Sequence, residues 1–393
     1  MNIGIVTTWF ERGAAYVSKL YLHILEKEGH NVYIFARGGE NHDSQYSAKW
    51  NQKNVTRSTR YINSKIEKKK FVKWLENNKI EALLFNEQRD YSILLYLKQR
   101  FSNIKLGAYV DYYTEDTLQY FDFYDFLICN THRHMQAMDK HSQKYYVPWG
   151  TDLDLYKPDD VKREMITFFH SVGMSTRKGT DLLIDAYIEG KCYNKSRLVI
   201  HTQIPIEKVC KYNKEQLKKY GIEIIAKTVP PPGLYHRGDV YVYPTRLDGL
   251  GLTMYEALAS GLPMIVPDFP PMNEIGDISC VRRVKIKDYY CRSDAYYYPM
   301  VICDKNSLID AMNWFITHEN MVESMKCAAR NYAVHNCNIY KQSKAVSDIF
   351  IQSRQREIDG NILKNYKKRR KNSNIVKAFL NIRKIYQFYK TFV

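Results

Sequence analysis

At 393 residues and 45% apolar content the chain is globular and long enough for two domains or more, which excludes a wholly disordered protein. The formal charge is +17 at pH 7, and residues 361–393 hold +10 of it with no acid among them. No stretch reaches the roughly 18 uncharged apolar residues of a membrane-spanning helix, and the eight cysteines show neither a Cys-x-x-Cys pair nor zinc spacing, so they read as free thiols of a reducing cytosol.

The chain begins directly on a strand, with no basic leader, apolar core or small-residue cleavage site in Met1–Thr8, so no secretory signal is expected. Apolar runs predict strands at 3–8, 31–36, 82–85, 105–110 and 126–129, with a helix over about 14–28 after the first. Strands separated by helical stretches argue for a parallel, doubly wound sheet. Gly13-Ala14-Ala15 opens that first helix and offers either an anion seat or a plain turn. The aromatic and acidic run 108–126, with Asp111, Glu115 and Asp116, suits a sugar acceptor and equally suits a packed helix with a solvated acidic edge.

Residues 146–158, with a Gly turn between two prolines, read as an exposed linker. Beyond it, 166–173 predicts the first strand of a second sheet and 180–186 begins an amphipathic helix. Arg177 and Lys178 stand at the tip of the loop between them, where cations offset the charge of a departing anion, or simply form a solvated basic turn. Further strands are expected at 198–201, 221–227 and 264–268.

The most telling stretch is Val240–Pro263, which reads as a buried strand, a loop with Gly249 and Gly251, then a helix. The glycines let the backbone approach a ligand, and the helix start leaves free N–H groups aimed at an anion. Asp248 on the loop and Glu256 on the helix flank this seat and suit sugar hydroxyls beside a phosphate. Spacing alone also fits an ordinary strand-loop-helix unit of a parallel sheet.

Pro244-Thr245, Asp248-Gly249-Leu250-Gly251-Leu252 and Glu256-Ala257 resemble the signature of family 4 of the retaining glycosyltransferases, which have the two-lobed GT-B fold. The family carries Glu and Phe where this chain has Asp248 and Leu250. The linker at 148–158 also resembles the family's, with Trp149 and Thr151 as departures, and Pro270–Ile275 is similar to its Gly-Pro-Glu loop. The resemblance implies that Glu256 holds the nucleotide ribose and that the amides of Gly249, Leu250, Gly251 and Leu252 hold the diphosphate. Gly13 and Gly173 then belong to the loops facing the donor, and Lys178, Arg177 and Asp248 to the catalytic group. The family's Arg position is occupied by Met174, and Arg177 replaces that cation from another backbone position. Asp111 follows the fifth strand where many relatives have a His touching the donor sugar, which makes Asp111 and Glu115 the acceptor-side residues.

The resemblance therefore implies an α/β protein of two Rossmann-like parallel-sheet lobes facing a cleft, plus a basic C-terminal helical tail. Residues 1–150 form the acceptor-side lobe, 151–345 the nucleotide-sugar donor lobe, and 346–393 a cross-over helix and tail. The implied activity is retaining transfer of a sugar from a nucleotide-sugar to a glycan or lipid-linked acceptor, with no metal and no cofactor beyond that substrate. Within the tail, Ile375, Val376, Phe379, Leu380, Ile382, Ile385, Tyr386 and Tyr389 recur near helical spacing among cations. Such a segment fits an anionic membrane surface, packing on the first lobe, or nucleic acid, in that order. A cytoplasmic protein peripheral on the inner face of a membrane is expected. The alternatives are a GT-B relative without transferase action, such as an epimerase, and a basic nucleic-acid-associated module.

Overall fold

Strand β1 (Asn2–Thr7) carries an unbroken apolar run, as a strand covered on both faces must. With β2 (Asn31–Ala36), β3 (Val55–Arg57), β4 (Ala82–Asn86), β5 (Lys105–Tyr109), β6 (Phe126–Cys129) and β7 (Lys144–Tyr146) it forms a parallel sheet of order 3-2-1-4-5-6-7. Ile5 lies between Ile34 and Leu84 in its register. Helices α1 (Gly13–Lys27), α2 (Lys68–Asn77), α3 (Ser92–Arg100) and α4 (His132–Ala137) connect these strands. The structure, a computed structural model, describes residues 1–38, 47–58 and 65–372.

A second parallel sheet, of order 10-9-8-11-12-13, holds β8 (Ile166–Gly173), β9 (Ser196–Thr202), β10 (Ile222–Ala226), β11 (Val240–Val242), β12 (Met264–Pro267) and β13 (Val281–Val284). Its helices are α5 (Thr180–Glu189), α6 (Lys214–Lys218), α7 (Leu252–Ala259), α8 (Lys305–Thr317) and α9 (Glu319–Asn336). In each lobe the strand order reverses beside the first strand, between β1 and β4 and between β8 and β11. A ligand finds room outside the carboxyl ends of strands at such a reversal. The loops holding Gly13, Lys178 and Asp248 all leave from these four strands or their ends.

The sequence reading has β7 only as a strand end at Tyr146, and strands β3 and β13 have no counterpart in it. Nor does the antiparallel hairpin of β14 (Ile286–Tyr290) and β15 (Met300–Cys303). The loop of that hairpin reaches back to the first lobe, where Tyr296 bridges Thr114 and the Tyr297 amide donates to the Tyr113 carbonyl at 3.0 Å.

One apolar cluster runs through both lobes, from Ile5 and Leu22 through Trp149 to Phe169, Tyr241 and Leu258. Trp149, a departure from the family linker, is 5% exposed and meets Tyr21 edge-on at 6.2 Å. Burying a ring of that size contributes roughly 3 kcal/mol, so the linker is part of the core. The other departure, Thr151, donates its amide to the Cys337 carbonyl at 2.8 Å, where the chain turns back toward the first lobe.

Helix α10 (Ser343–Gln352) lies on α1, fixed by a 2.7 Å bond between His30 and Ser347. The following segment is pinned through Asp125, which pairs with Lys98 at 2.6 Å and accepts the Arg356 amide at 2.8 Å. Residues 360–372 are helical; Tyr366 sits against Tyr120 and Phe123, and Arg369 pairs with Asp116. Packing on the first lobe thus accounts for the start of the basic tail. Its apolar positions from Ile375 to Tyr389 lie outside the described residues.

Candidate functional site

The two loops of the second lobe interlock. Gly179 caps α5 at φ +71°, and a Cβ there would lie 2.0 Å from the Pro244 carbonyl oxygen, so the position admits glycine alone. The Arg246 amide donates to the Arg177 carbonyl at 2.8 Å, which ties the basic tip to the signature loop. Lys178 Nζ in turn donates to Asp248 Oδ2, and the Tyr243 hydroxyl donates to the same oxygen. The other oxygen, Oδ1, accepts the Gly251 amide at 3.1 Å.

Burial would raise the Asp248 pKa. The Lys178 charge and the three donors outweigh it and hold the carboxyl well below the usual range, so it is ionised. Arg177 is half-buried, and its guanidinium has no ion pair among the described residues. Met174 is 63% exposed, so the loop presents no cation from that position. Gly173 ends β8 at φ +60°, where the loop departs.

Gly251 caps α7 in the left-handed region, φ +79°, and the first-turn amides of Leu252 and Thr253 lack partners within the helix. Gly13 faces them from the other lobe, with Leu252 Cδ1 4.0 Å from the Gly13 Cβ direction. Two helix starts therefore meet across the cleft. One turn into α7, Glu256 accepts the Tyr235 hydroxyl at 2.5 Å. Burial raises its pKa, opposed by bonds from Tyr235 and Tyr156. The carboxylate opens on a cavity of about 340 Å³ between α1 and the second lobe, also lined by Tyr16, Lys19, His201, Thr253 and Pro231. That volume matches a small organic ligand.

On the first-lobe side, Asp111 presses on the signature loop: a Cβ on Gly249 would fall 2.4 Å from Asp111 Oδ1. The Asp111 carboxyl accepts no hydrogen bond among the described residues. Burial, then Glu87, push its pKa up to about 7, against the pull of Arg133 and Arg12. Glu87 pairs with Arg12 at 3.3 Å and holds φ +55°, a strained backbone for a residue with a side chain. Glu115 is exposed and makes none of these contacts, and its neighbour Asp116 is paired with Arg369. The cluster is thus Lys178, Asp248, Gly249, Gly251, Glu256, Gly13 and Asp111, with Glu115 outside it.

Sequence reasoning missed Arg133 and the tyrosines of the β14–β15 loop, and it singled out the loop of Glu274 without giving that residue a role. Arg133 reaches from α4 to carbonyls of the signature loop, and Glu274 accepts the His132 and Arg133 amides at 2.7 and 3.0 Å. Arg133 carries no local signal, because each of these bonds spans more than a hundred positions. Among the described residues no group of His, Cys, Asp and Glu is placed to hold a metal ion.

Residues 163–279 match the family model described as glycosyl transferases group 1. No curated protein matches the chain. Among solved structures, a glycosyltransferase from Rickettsia africae ESF-5 aligns at TM-score 0.68 and 13% identity, over 90% of this chain and 99% of that one. The pneumococcal O-GlcNAc transferase GtfA, in complex with UDP and GlcNAc, aligns at 0.66 and 13%, over 89% and 99%. Anabaena HepE, in complex with UDP and glucose, aligns at 0.67 and 12%, over 90% and 100%. With its two facing parallel-sheet lobes the chain has the GT-B fold, and the residues that match the glycosyl transferases group 1 model lie in its second lobe.

Proposed function

We propose that this protein is a retaining, metal-independent glycosyltransferase that moves a sugar from a nucleotide-sugar to a glycan or lipid-linked acceptor in the interlobe cleft. The observation that carries the reading is a cavity lined by Glu256 and by Leu252 and Thr253, the two residues whose amides are free at the start of α7, directly beyond the loop that holds the Lys178–Asp248 pair. The nucleoside occupies the cavity with its ribose hydroxyls on Glu256. The diphosphate lies on the amides of residues 249, 250 and 252, and Lys178 and Arg177 offset the charge that grows as it leaves. The bond from the anomeric carbon to the phosphate oxygen breaks while the acceptor oxygen bonds to the same face. The acceptor proton passes to the departing phosphate, so no protein nucleophile is required. Asp111 is placed to read a hydroxyl of the transferred sugar or of the acceptor.

A place at the inner face of a membrane, in envelope polysaccharide synthesis, is part of the same proposal, and the surface charge supports the membrane contact. Helix α2 and residues 360–372 pack on the same apolar cluster of the first lobe. They leave Lys68, Lys69, Lys73, Lys364, Lys367, Lys368, Arg370 and Lys371 exposed. Each cation near an anionic leaflet contributes on the order of 1 kcal/mol. No described helix is long and apolar enough to cross a membrane. Flotation with anionic vesicles tests this part: Lys367→Glu/Lys368→Glu/Lys371→Glu should stay unbound, and unchanged flotation removes it.

The donor site is tested by thermal shift with UDP, GDP, ADP, CDP and TDP, with Mg2+ or with EDTA. One nucleotide should raise Tm in both conditions, and Glu256→Ala should abolish the shift. UDP is tried first, since the GtfA and HepE structures hold it. No shift with any nucleotide overturns the reading.

A further inference from the structure

We infer that Arg133, supplied by the first lobe, is a positioning residue for the diphosphate seat of the second lobe. The inference rests on the donor-site reading above and adds to it a residue from outside the signature.

Arg133 is 2% exposed at the start of α4, yet its guanidinium is spent wholly on the opposite lobe. One terminal nitrogen donates to the Pro270 carbonyl at 2.9 Å. The other donates to the Asp248 carbonyl at 2.5 Å and the Gly249 carbonyl at 3.3 Å. The Tyr298 ring lies 4.4 Å from the guanidinium, and the Tyr298 hydroxyl donates to the Arg133 carbonyl at 2.6 Å. Among the described residues no carboxylate is hydrogen-bonded to the Arg133 guanidinium, and its Nε has no partner.

A buried guanidinium held by neutral carbonyls is a costly arrangement unless its charge serves something. Here two features show what it serves. A peptide unit points its carbonyl and the following N–H in opposite directions, so fixing the carbonyls of 248 and 249 on Arg133 turns the amides of 249 and 250 away from it, and neither amide has a hydrogen-bond partner among the described residues. The unpaired positive charge behind those amides also adds to the potential that an anion meets there. The diphosphate seat is therefore finished only when the lobes are together, because the residue that orients it belongs to the first lobe. Glu274 holds the same approach from the other direction by accepting the amides of His132 and Arg133. Diphosphate binding and lobe closure are thereby coupled through one side chain.

The test measures the Kd of UDP and UMP, and of the GDP, ADP, CDP and TDP pairs with their monophosphates, for wild type and Arg133→Met. Arg133→Met should weaken the preferred diphosphate by about tenfold or more and its monophosphate by less than about threefold, since a charge-assisted bond is at stake mainly for the second phosphate. Equal loss for both ligands, or an unchanged diphosphate Kd, overturns the role of Arg133. If Arg133→Met does not fold, Tyr298→Leu removes the ring beneath the guanidinium and the hydroxyl on its carbonyl while keeping the arginine. The same selectivity should then appear at about threefold, and its absence is equally decisive. A wild type that binds none of the ten nucleotides fails the donor-site reading itself, and this role with it.

Discussion

The two lobes place matching loops at matching points of their sheets, but they furnish them differently. At the β8–β11 reversal every charged group except Arg177 is already engaged: Lys178, Tyr243 and Gly251 hold Asp248, and two tyrosines hold Glu256. At the β1–β4 side the Asp111 carboxyl faces Glu87 and Asp248 with no donor on it. Preorganised groups can stabilise charge as it develops without reorganising. An unsatisfied carboxyl instead waits for a hydroxyl that the ligand brings. On the proposed function the second-lobe half is preorganised once Arg133 has reached it, and the first-lobe half is finished by its substrate.

Removing Lys178 should break this contrast most severely. Lys178→Ala leaves Asp248 without its cation and the leaving group without its nearest one, so kcat should fall by about 10²–10³-fold, measured by release of the nucleotide from a nucleotide-sugar. A fall below about tenfold would place the leaving group elsewhere. Next comes Gly179→Ala, which forces a Cβ onto the Pro244 carbonyl at an unfavourable φ. It should lower stability by about 2–3 kcal/mol, seen in the urea midpoint. A change below about 0.5 kcal/mol would mean that the two loops separate freely. Arg177→Ala is smaller: loss of one partly solvated cation should cost about tenfold in kcat/KM, and unchanged activity would show that Arg177 does not take over from Met174.

The donor half was legible in the sequence because its groups are local. Asp248, Gly249, Gly251 and Glu256 lie within nine positions, and glycine, acid and helix start each leave a mark at short range. The same holds for the long strands, whose apolar runs announce burial. A three-residue edge strand such as Val55–Arg57 buries too little to show. The β14–β15 loop is held by Tyr113 and Thr114, some 180 positions away, and Arg133 by carbonyls 115 to 137 positions on. Neither leaves a periodic or compositional trace. Glu115 and Asp111 look alike in sequence, and only the sheet's geometry puts the second against Gly249 while leaving the first exposed.

The sharpest test of the contrast is one of pH, because the two acids titrate in opposite senses. Asp248 is held below its ordinary value, so its contribution to stability is present above about pH 4 and is lost only as pH falls toward its folded value. Asp111 is raised to about 7, so in the folded state it keeps its proton where the unfolded chain has released it. Its contribution is therefore complete below about pH 4 and drains away as pH rises to about 7, then stays flat. The charges facing it, Glu87 and Asp248 on one hand and Arg133 and Arg12 on the other, set that window. Asp111→Asn removes the titration while keeping the shape, so its Tm relative to wild type should rise between pH 5 and pH 8, by about 2 °C for each kcal/mol recovered. A ligand that donates a hydroxyl to the ionised carboxyl reverses the trend. With nucleotide-sugar bound, the wild type should regain at pH 8 what it loses in the free state, and Asp111→Asn should gain less. Identical pH curves for the two proteins would mean that Asp111 is an ordinary solvated acid, and the acceptor half would lose its distinguishing group.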